Sequence, residues 1–181
     1  MTLRIHVLGA SGSGTTTLGA ALAGALELSH IDSDDLYWVP TDPPFTTRRS
    51  AEDRARLLHQ QLPASGHWVF SGSAVPWADE IAPLYRLIVF LQIEPAERLA
   101  RLRRREAQRY GARIEPGGDM AGIYTNFLAW AASYDQGGLA HRSLLLHENW
   151  LANQRAPVLR LPSSRPVASL VDAVRHRLSA S

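Results

Sequence analysis

The stretch Gly9-Ala10-Ser11-Gly12-Ser13-Gly14-Thr15-Thr16-Thr17 constrains the fold more than any other part of this 181-residue chain. A β-branched run, Leu3 to Leu8, leads into it, and a helical pattern from Thr16 to Leu28 follows at once. The closely spaced glycines let the backbone curl until successive N–H groups point inward. Such a nest, with a helix N-terminus behind it, attracts an anionic phosphate. The frame is G-x-x-x-x-G-K-[ST] with one departure: Thr15 stands where lysine belongs. Gly9, Ser11, Gly12, Ser13, Gly14, Thr15, Thr16 and Thr17 are therefore the candidate nucleotide contacts. Thr16 fills the position whose hydroxyl would ligate Mg²⁺. Two other readings stay open at this point. Gly9, Gly12 and Gly14, with Asp32 or Asp34 further on, also suit a dinucleotide-binding turn. The Tyr-x-x-x-Lys pair of a dehydrogenase, however, cannot exist in a chain without lysine. A glycine turn without any ligand is the third reading.

Beyond the loop, short β-branched runs alternate with helical patterns. Strands are expected at Leu3 to Leu8, His30 to Asp32, Trp68 to Phe70, Leu87 to Ile93 and Val158 to Leu161. Helices are expected at Thr16 to Leu28, Ser50 to Leu62, Pro95 to Tyr110, Met120 to Tyr134 and Pro166 to Leu178. Pro95 and Pro166 sit where a first helical residue would be, a place that suits proline. Alternation of this kind implies a three-layer α/β/α fold around a five-stranded parallel sheet. The chain has the length of one domain, 1–181. Two segments read as loops: 40–47, which is proline-rich, and 111–119, which carries Gly-Gly and a proline.

Composition removes several classes of function. There is no cysteine, hence no disulfide and no thiolate metal site. No apolar run approaches the ~20 residues of a membrane span, and no signal-like segment stands before the first strand. A cytoplasmic protein without membrane contact is expected. All 19 basic residues are arginine, a side chain suited to bidentate phosphate contact. The net charge is only +2, too small to argue for nucleic-acid binding. The seven histidines show no metal-ligand spacing and read as structural or surface groups.

Two further clusters carry chemistry. Asp32, Asp34 and Asp35 crowd just after a strand, on the sheet edge where open α/β folds place ligands. One carboxylate there would hold Mg²⁺ through water, and Asp32 is the candidate. Another, Asp34, would orient or deprotonate an acceptor hydroxyl. A helix cap in a solvated turn is the plainer alternative. Their negative charge disfavours an acceptor phosphate, whereas Arg48 and Arg49 would favour one. Tyr37, Trp38 and Phe45 are candidates for stacking on a base. Ser71-Gly72-Ser73, Trp77 and Asp79 are candidates for the acceptor pocket. Arg98, Arg101, Arg105 and Arg109 recur at three- and four-residue steps, which predicts one shared helix face.

Together these residues resemble the small P-loop kinases of the adenylate kinase and shikimate kinase type, over nearly the whole chain. Gly-Ala-Ser-Gly-Ser-Gly-Thr-Thr-Thr-Leu is similar, more narrowly, to a subgroup described as AAA-type ATPases or adenylate kinase-like proteins, in which threonine replaces the lysine. The resemblance implies ATP with Mg²⁺, and phosphoryl transfer to a small molecule, nucleosides and nucleotides ahead of other alcohols. It implies a short lid at 111–119 and an arginine pair before it, carried over to Arg101 and Arg105, with Arg104 as a further member. These arginines are expected to supply the charge that Thr15 lacks. No arginine occurs from Met120 to Tyr134, where adenylate kinases carry more. A monomer or homodimer fits this reading. The alternative is a nucleotide-binding regulatory protein with little turnover.

Overall fold

The computed structural model describes residues 2–63 and 65–180. Met1 and Ser181, the ends of the expected 1–181 domain, lie outside the described residues, as does Ala64. The chain begins with β1 (Arg4–Gly9), α1 (Thr15–Leu26), β2 (Ser29–Asp32) and the short α2 (Ser33–Tyr37). It continues with α3 (Ala51–Gln61), β3 (Trp68–Ser71), β4 (Leu87–Gln92) and α4 (Pro95–Tyr110). The last part holds α5 (Ala121–Ala132), α6 (Leu144–Ala152), β5 (Val158–Pro162) and α7 (Val167–Ser179). The five strands form one parallel sheet in the order β2-β3-β1-β4-β5. In β1, Ile5 pairs with Val69 on one side and Leu87 on the other, so the loop-bearing strand is central.

Both faces of the sheet are covered, which is why its strands read as continuous apolar runs. Ile5, Val7, Val69, Leu87, Val89 and Leu91 pack under Leu18 and Leu22 of α1 and Leu170, Val171 and Val174 of α7. On the other face, Leu8, Phe70, Ile88 and Phe90 meet Leu36 of α2, Leu58 of α3, and Trp150 and Leu151 of α6. This is the three-layer α/β/α arrangement. Because every strand runs the same way, the loops after Gly9, Asp32, Ser71 and Gln92 gather at one edge.

The expected strands match the observed ones to within a residue or two. Three features differ. First, α6 has no counterpart among the expected helices. Its run Leu144-Leu145-Leu146 is apolar all round and shows no amphipathic period, although Ser143 caps it by accepting from the Leu146 N–H at 3.0 Å. Second, the helix expected to reach Tyr134 stops at Ala132, and a 3-10 turn covers Ser133–Asp135. Third, the 111–119 loop opens with a 3-10 turn, Gly111–Ile114, and is tethered rather than bare. Ile114 and Met120 pack on Tyr110, and Arg113 pairs with Asp119 at 2.7 Å. The same Arg113 reaches Asp42 at 3.0 Å, and the Tyr110 hydroxyl donates to the Pro44 carbonyl. The two loops singled out in the sequence thus touch each other.

Candidate active site

The glycine loop is shaped by two residues in the left-handed region, Gly12 at φ 86° and Gly14 at φ 88°. The Ser13 N–H donates to the Ala10 carbonyl at 3.0 Å, closing the turn between them. Gly14 caps α1 without a side-chain bond, and the first turn carries no acid, so the helix N–H groups open outward uncompensated. A β-carbon on Gly12 would come within 2.9 Å of Leu102, which ties the loop to α4. A β-carbon on Gly14 would meet no atom within 4 Å. That open space lies in front of the nest. Thr15 is half-buried, while Thr16 and Thr17 are exposed.

Asp32 is committed locally. One of its oxygens accepts the Asp34 N–H at 2.9 Å, capping α2, and the other accepts the Ser71 hydroxyl at 3.0 Å. His30 Nε2 lies 2.9 Å from the same hydroxyl. Asp34 reaches solvent but is ringed by protein. Burial pushes its carboxyl above the ordinary carboxylate range, the Asp32 charge pushes the same way, and Arg142 and Arg105 pull it partly back. Those interactions place two cations around Asp34. Arg142 donates to the Ser73 carbonyl at 3.1 Å and lies over the Trp130 ring. Arg105 binds Glu106 at 2.7 Å and lies over Phe127.

The arginines of α4 do not share one face, contrary to the expectation from their spacing. Arg98 is only 1% exposed; it donates to the Ala131 carbonyl and to Asp135, pinning α4 to the end of α5. Arg101 turns toward the β5–α7 connection, where it meets the Ser163 hydroxyl at 3.2 Å and carbonyl at 3.1 Å, and it pairs with Glu97. Arg104 is exposed. Arg109 covers the Phe45 ring. Of the expected pair, therefore, only Arg105 faces Asp34. Arg142, which lies just before α6, joins the site through a segment that carries no sequence signature for it.

No protein-family model matches the chain. The chain is 41% identical over 181 residues to the protein named "Uncharacterized protein YqaC" of Bacillus subtilis (strain 168), each covered in full. The chain belongs to the YqaC family. Among solved structures it is similar to the shikimate kinase of Bacteroides thetaiotaomicron, with a TM-score of 0.59 and 19% identity over 98% of both chains. It is also similar to the shikimate kinase of Aquifex aeolicus vf5, with a TM-score of 0.54 and 12% identity over 98% of this chain and 97% of that one. These likenesses establish a P-loop kinase fold for this member of the YqaC family.

The loop fits a nucleotide phosphate. Ser13 Oγ is buried with no hydrogen-bond partner among the described residues, and a phosphate oxygen in the nest would satisfy it. The surroundings also fit a phosphate-held Mg²⁺. Among the described residues no group of three or more His, Cys, Asp or Glu could hold a metal alone. Mg²⁺ that keeps its waters needs only a hydroxyl, one carboxylate and phosphate oxygens. Thr16 and Asp32 are the candidates, Asp32 through water because both its oxygens already accept bonds. Gly14→Val is expected to abolish ATP binding. Valine in the left-handed region is strained, and its side chain would fill the open space. Calorimetry with ATP and Mg²⁺ checks this; binding equal to wild type would sink the phosphate-loop assignment.

Behind the site runs a buried polar chain. Ser73 Oγ lies 2.8 Å from His147 Nε2, and the Tyr134 hydroxyl lies 2.8 Å from His147 Nδ1. Burial, helped by the Arg142 charge, lowers the His147 pKa to about 3. His6, stacked on Tyr85 in the core, is lowered by burial to about 4. Both rings are neutral when folded at pH 7, as are most histidines in the unfolded chain. Below about pH 6.5 the unfolded state takes up protons that the folded state refuses, so stability falls as pH drops from 6.5 toward 3. The slope should approach about 2.7 kcal/mol per pH unit for two such protons. The raised Asp34 pKa works in the opposite direction. Denaturant unfolding at pH 7, 5.5 and 4.5 checks the slope, and a flat profile would mean that these rings are not buried neutral.

Proposed function

We propose that the protein is an ATP- and Mg²⁺-dependent phosphotransferase acting on a hydroxyl of a small molecule, with nucleosides or nucleotides ahead of other alcohols. The observation that carries this reading is Asp34. It stands on the same sheet edge as the glycine loop, its carboxyl raised by burial, with Arg105 and Arg142 close enough for their charges to act on it. ATP would supply the transferable phosphoryl group and Mg²⁺ would neutralise charge on its phosphates. The backbone N–H groups of the loop hold the phosphates in place. Asp34 accepts the proton of the acceptor hydroxyl as its oxygen bonds to phosphorus and the bridging oxygen leaves with ADP. Arg105 and Arg142 meet the charge on the moving group. On this reading residues 1–181 form one kinase-like domain, 111–119 act as a lid, and the protein works in the cytoplasm as a monomer or homodimer, without nucleic acid.

One observation favours a second reading. Thr15 is neutral, and a nucleotide-binding regulatory protein would tolerate that loss better than an enzyme. Coupled ADP release against nucleosides, nucleotides and sugar alcohols separates the two. Acceptor-dependent ADP release is expected. ATP binding without turnover on any acceptor would favour the regulatory protein.

A further inference from the structure

Resting on the phosphotransferase reading, one further feature bears on the acceptor. Helix α5 carries Ile123, Phe127 and Trp130 at helical spacing, and both Ile123 and Trp130 are exposed, Trp130 to 38%. A helix packed only for structure would turn such residues inward. Here the stripe borders the cleft, because Arg105 lies over Phe127 and Arg142 over Trp130, and both arginines act on Asp34. The opposite wall is also aromatic. Tyr37 and Trp77 hold the Arg54 guanidinium between them, at 4.7 and 5.4 Å from the ring centroids. Arg142 is near enough to Tyr37 for its hydroxyl to act on the guanidinium, so the two walls meet around one space.

Arg54 is the second observation. Its Nε is buried with no hydrogen-bond partner among the described residues, and no ion pair to it occurs among them. Arg49, just before α3, has a buried Nε in the same condition. A guanidinium stripped of water and left without an acceptor is costly, and a carboxylate or phosphate restores it. A flat ring fits between facing aromatic walls better than a flexible polyol, because stacking needs a π-face on both partners.

We propose that the acceptor is a flat-ringed alcohol bearing an anionic group, its ring against Phe127 and Trp130 and its carboxylate or phosphate on Arg54. The hydroxyl then faces Asp34. The negative charge of the aspartates, which argued for an uncharged acceptor, is offset by Arg54, Arg105 and Arg142.

Calorimetry without ATP tests the binding on its own, using adenosine monophosphate and meta-hydroxybenzoate as ring acids of the two anion types. Adenosine serves as a ring without an anion, and gluconate as an anion without a ring. One ring acid is expected to bind at least about tenfold more tightly than adenosine and gluconate. Arg54→Ala should lose about tenfold for that acid and leave adenosine unchanged. Trp130→Ala should lose about tenfold, while Trp130→Phe stays within about threefold. Circular dichroism confirms that each variant is folded, and Arg54→Lys, which keeps the charge, should fall between Arg54→Ala and wild type. The inference is overturned if gluconate or adenosine binds as tightly as both ring acids, if neither ring acid binds, or if folded Arg54→Ala binds like wild type. Phosphorylation of gluconate, indifferent to Trp130→Ala, would sink this inference and keep the phosphotransferase. Tight ring-acid binding with no ADP release on any acceptor would do the reverse.

Discussion

Asp34→Asn is expected to lower kcat at least about tenfold while ATP affinity stays within about threefold. Asparagine keeps the shape of the side chain and its place at the start of α2, so the cap made by Asp32 on the Asp34 N–H survives. What is lost is the ability to take a proton. That loss is felt only in the transition state, which is why turnover should fall and nucleotide binding should not. The pH dependence sharpens the test. Burial and the Asp32 charge hold the Asp34 carboxyl above its ordinary range, so the acid limb of kcat/KM should lie above that of an exposed aspartate and vanish in Asp34→Asn. Asp32→Asn should behave differently. It disturbs the Ser71 bond and the helix cap together, and its effect should include a drop in melting temperature. Normal turnover by a folded Asp34→Asn enzyme, measured by coupled ADP release with a working acceptor, would return Asp34 to a capping turn and remove the base from the proposed mechanism.

The fold was legible because its signals are local and strong. The apolar runs Leu3 to Leu8 and Leu87 to Ile93 are buried on both faces, so nothing competes with the strand pattern. The glycine loop sits between such a strand and a helix, and only Gly12 and Gly14 supply the left-handed turns that its curl requires. Much of the site beyond the loop was not legible, for a different reason. Spacing on α4 cannot say which way an arginine leaves the helix once its neighbours are buried. Arg98 went inward to Asp135, Arg101 to Ser163 and Arg105 to the cleft, each drawn by a partner far away in the chain. Arg142 and His147 join the site through α6, whose apolar run has no period to announce it. Long-range electrostatic partners leave no mark on local pattern.

The absent lysine leads to the second large effect expected: Arg105→Ala should lose about 2–4 kcal/mol of transition-state stabilisation, roughly 30- to 900-fold in kcat. The transferring group develops charge whatever the sequence, and a threonine hydroxyl at position 15 offers one hydrogen bond and no charge. With no lysine anywhere in the chain, the substitute must be an arginine or a histidine. His6 and His147 are excluded, since burial keeps them neutral. Arg98 is excluded because it is buried against Ala131 and Asp135. Arg101 would first have to give up its contacts with Glu97 and Ser163. Arg105 already acts on Asp34, and its partner Glu106 is also shared with Arg109. Glu106 can therefore release one guanidinium and keep the other. If a lid at 111–119 brings Arg105 to the phosphates only on closure, idle ATP hydrolysis without acceptor should be slow. Arg101, Arg104, Arg105 and Arg142 should each be changed singly to alanine, and Thr15→Lys added to each. The expected pattern is the largest loss at Arg105, a smaller one at Arg101 and Arg104, and partial rescue of Arg105→Ala by Thr15→Lys, because the new ammonium stands where the charge is needed. A dominant loss at Arg142 would move the role to the segment before α6. Wild-type kcat in all four variants would leave Arg48 or Arg49 as the cation. If Thr15→Lys alone creates turnover where the native chain has none, the protein binds nucleotide to regulate rather than to transfer, and its neutral loop is the reason.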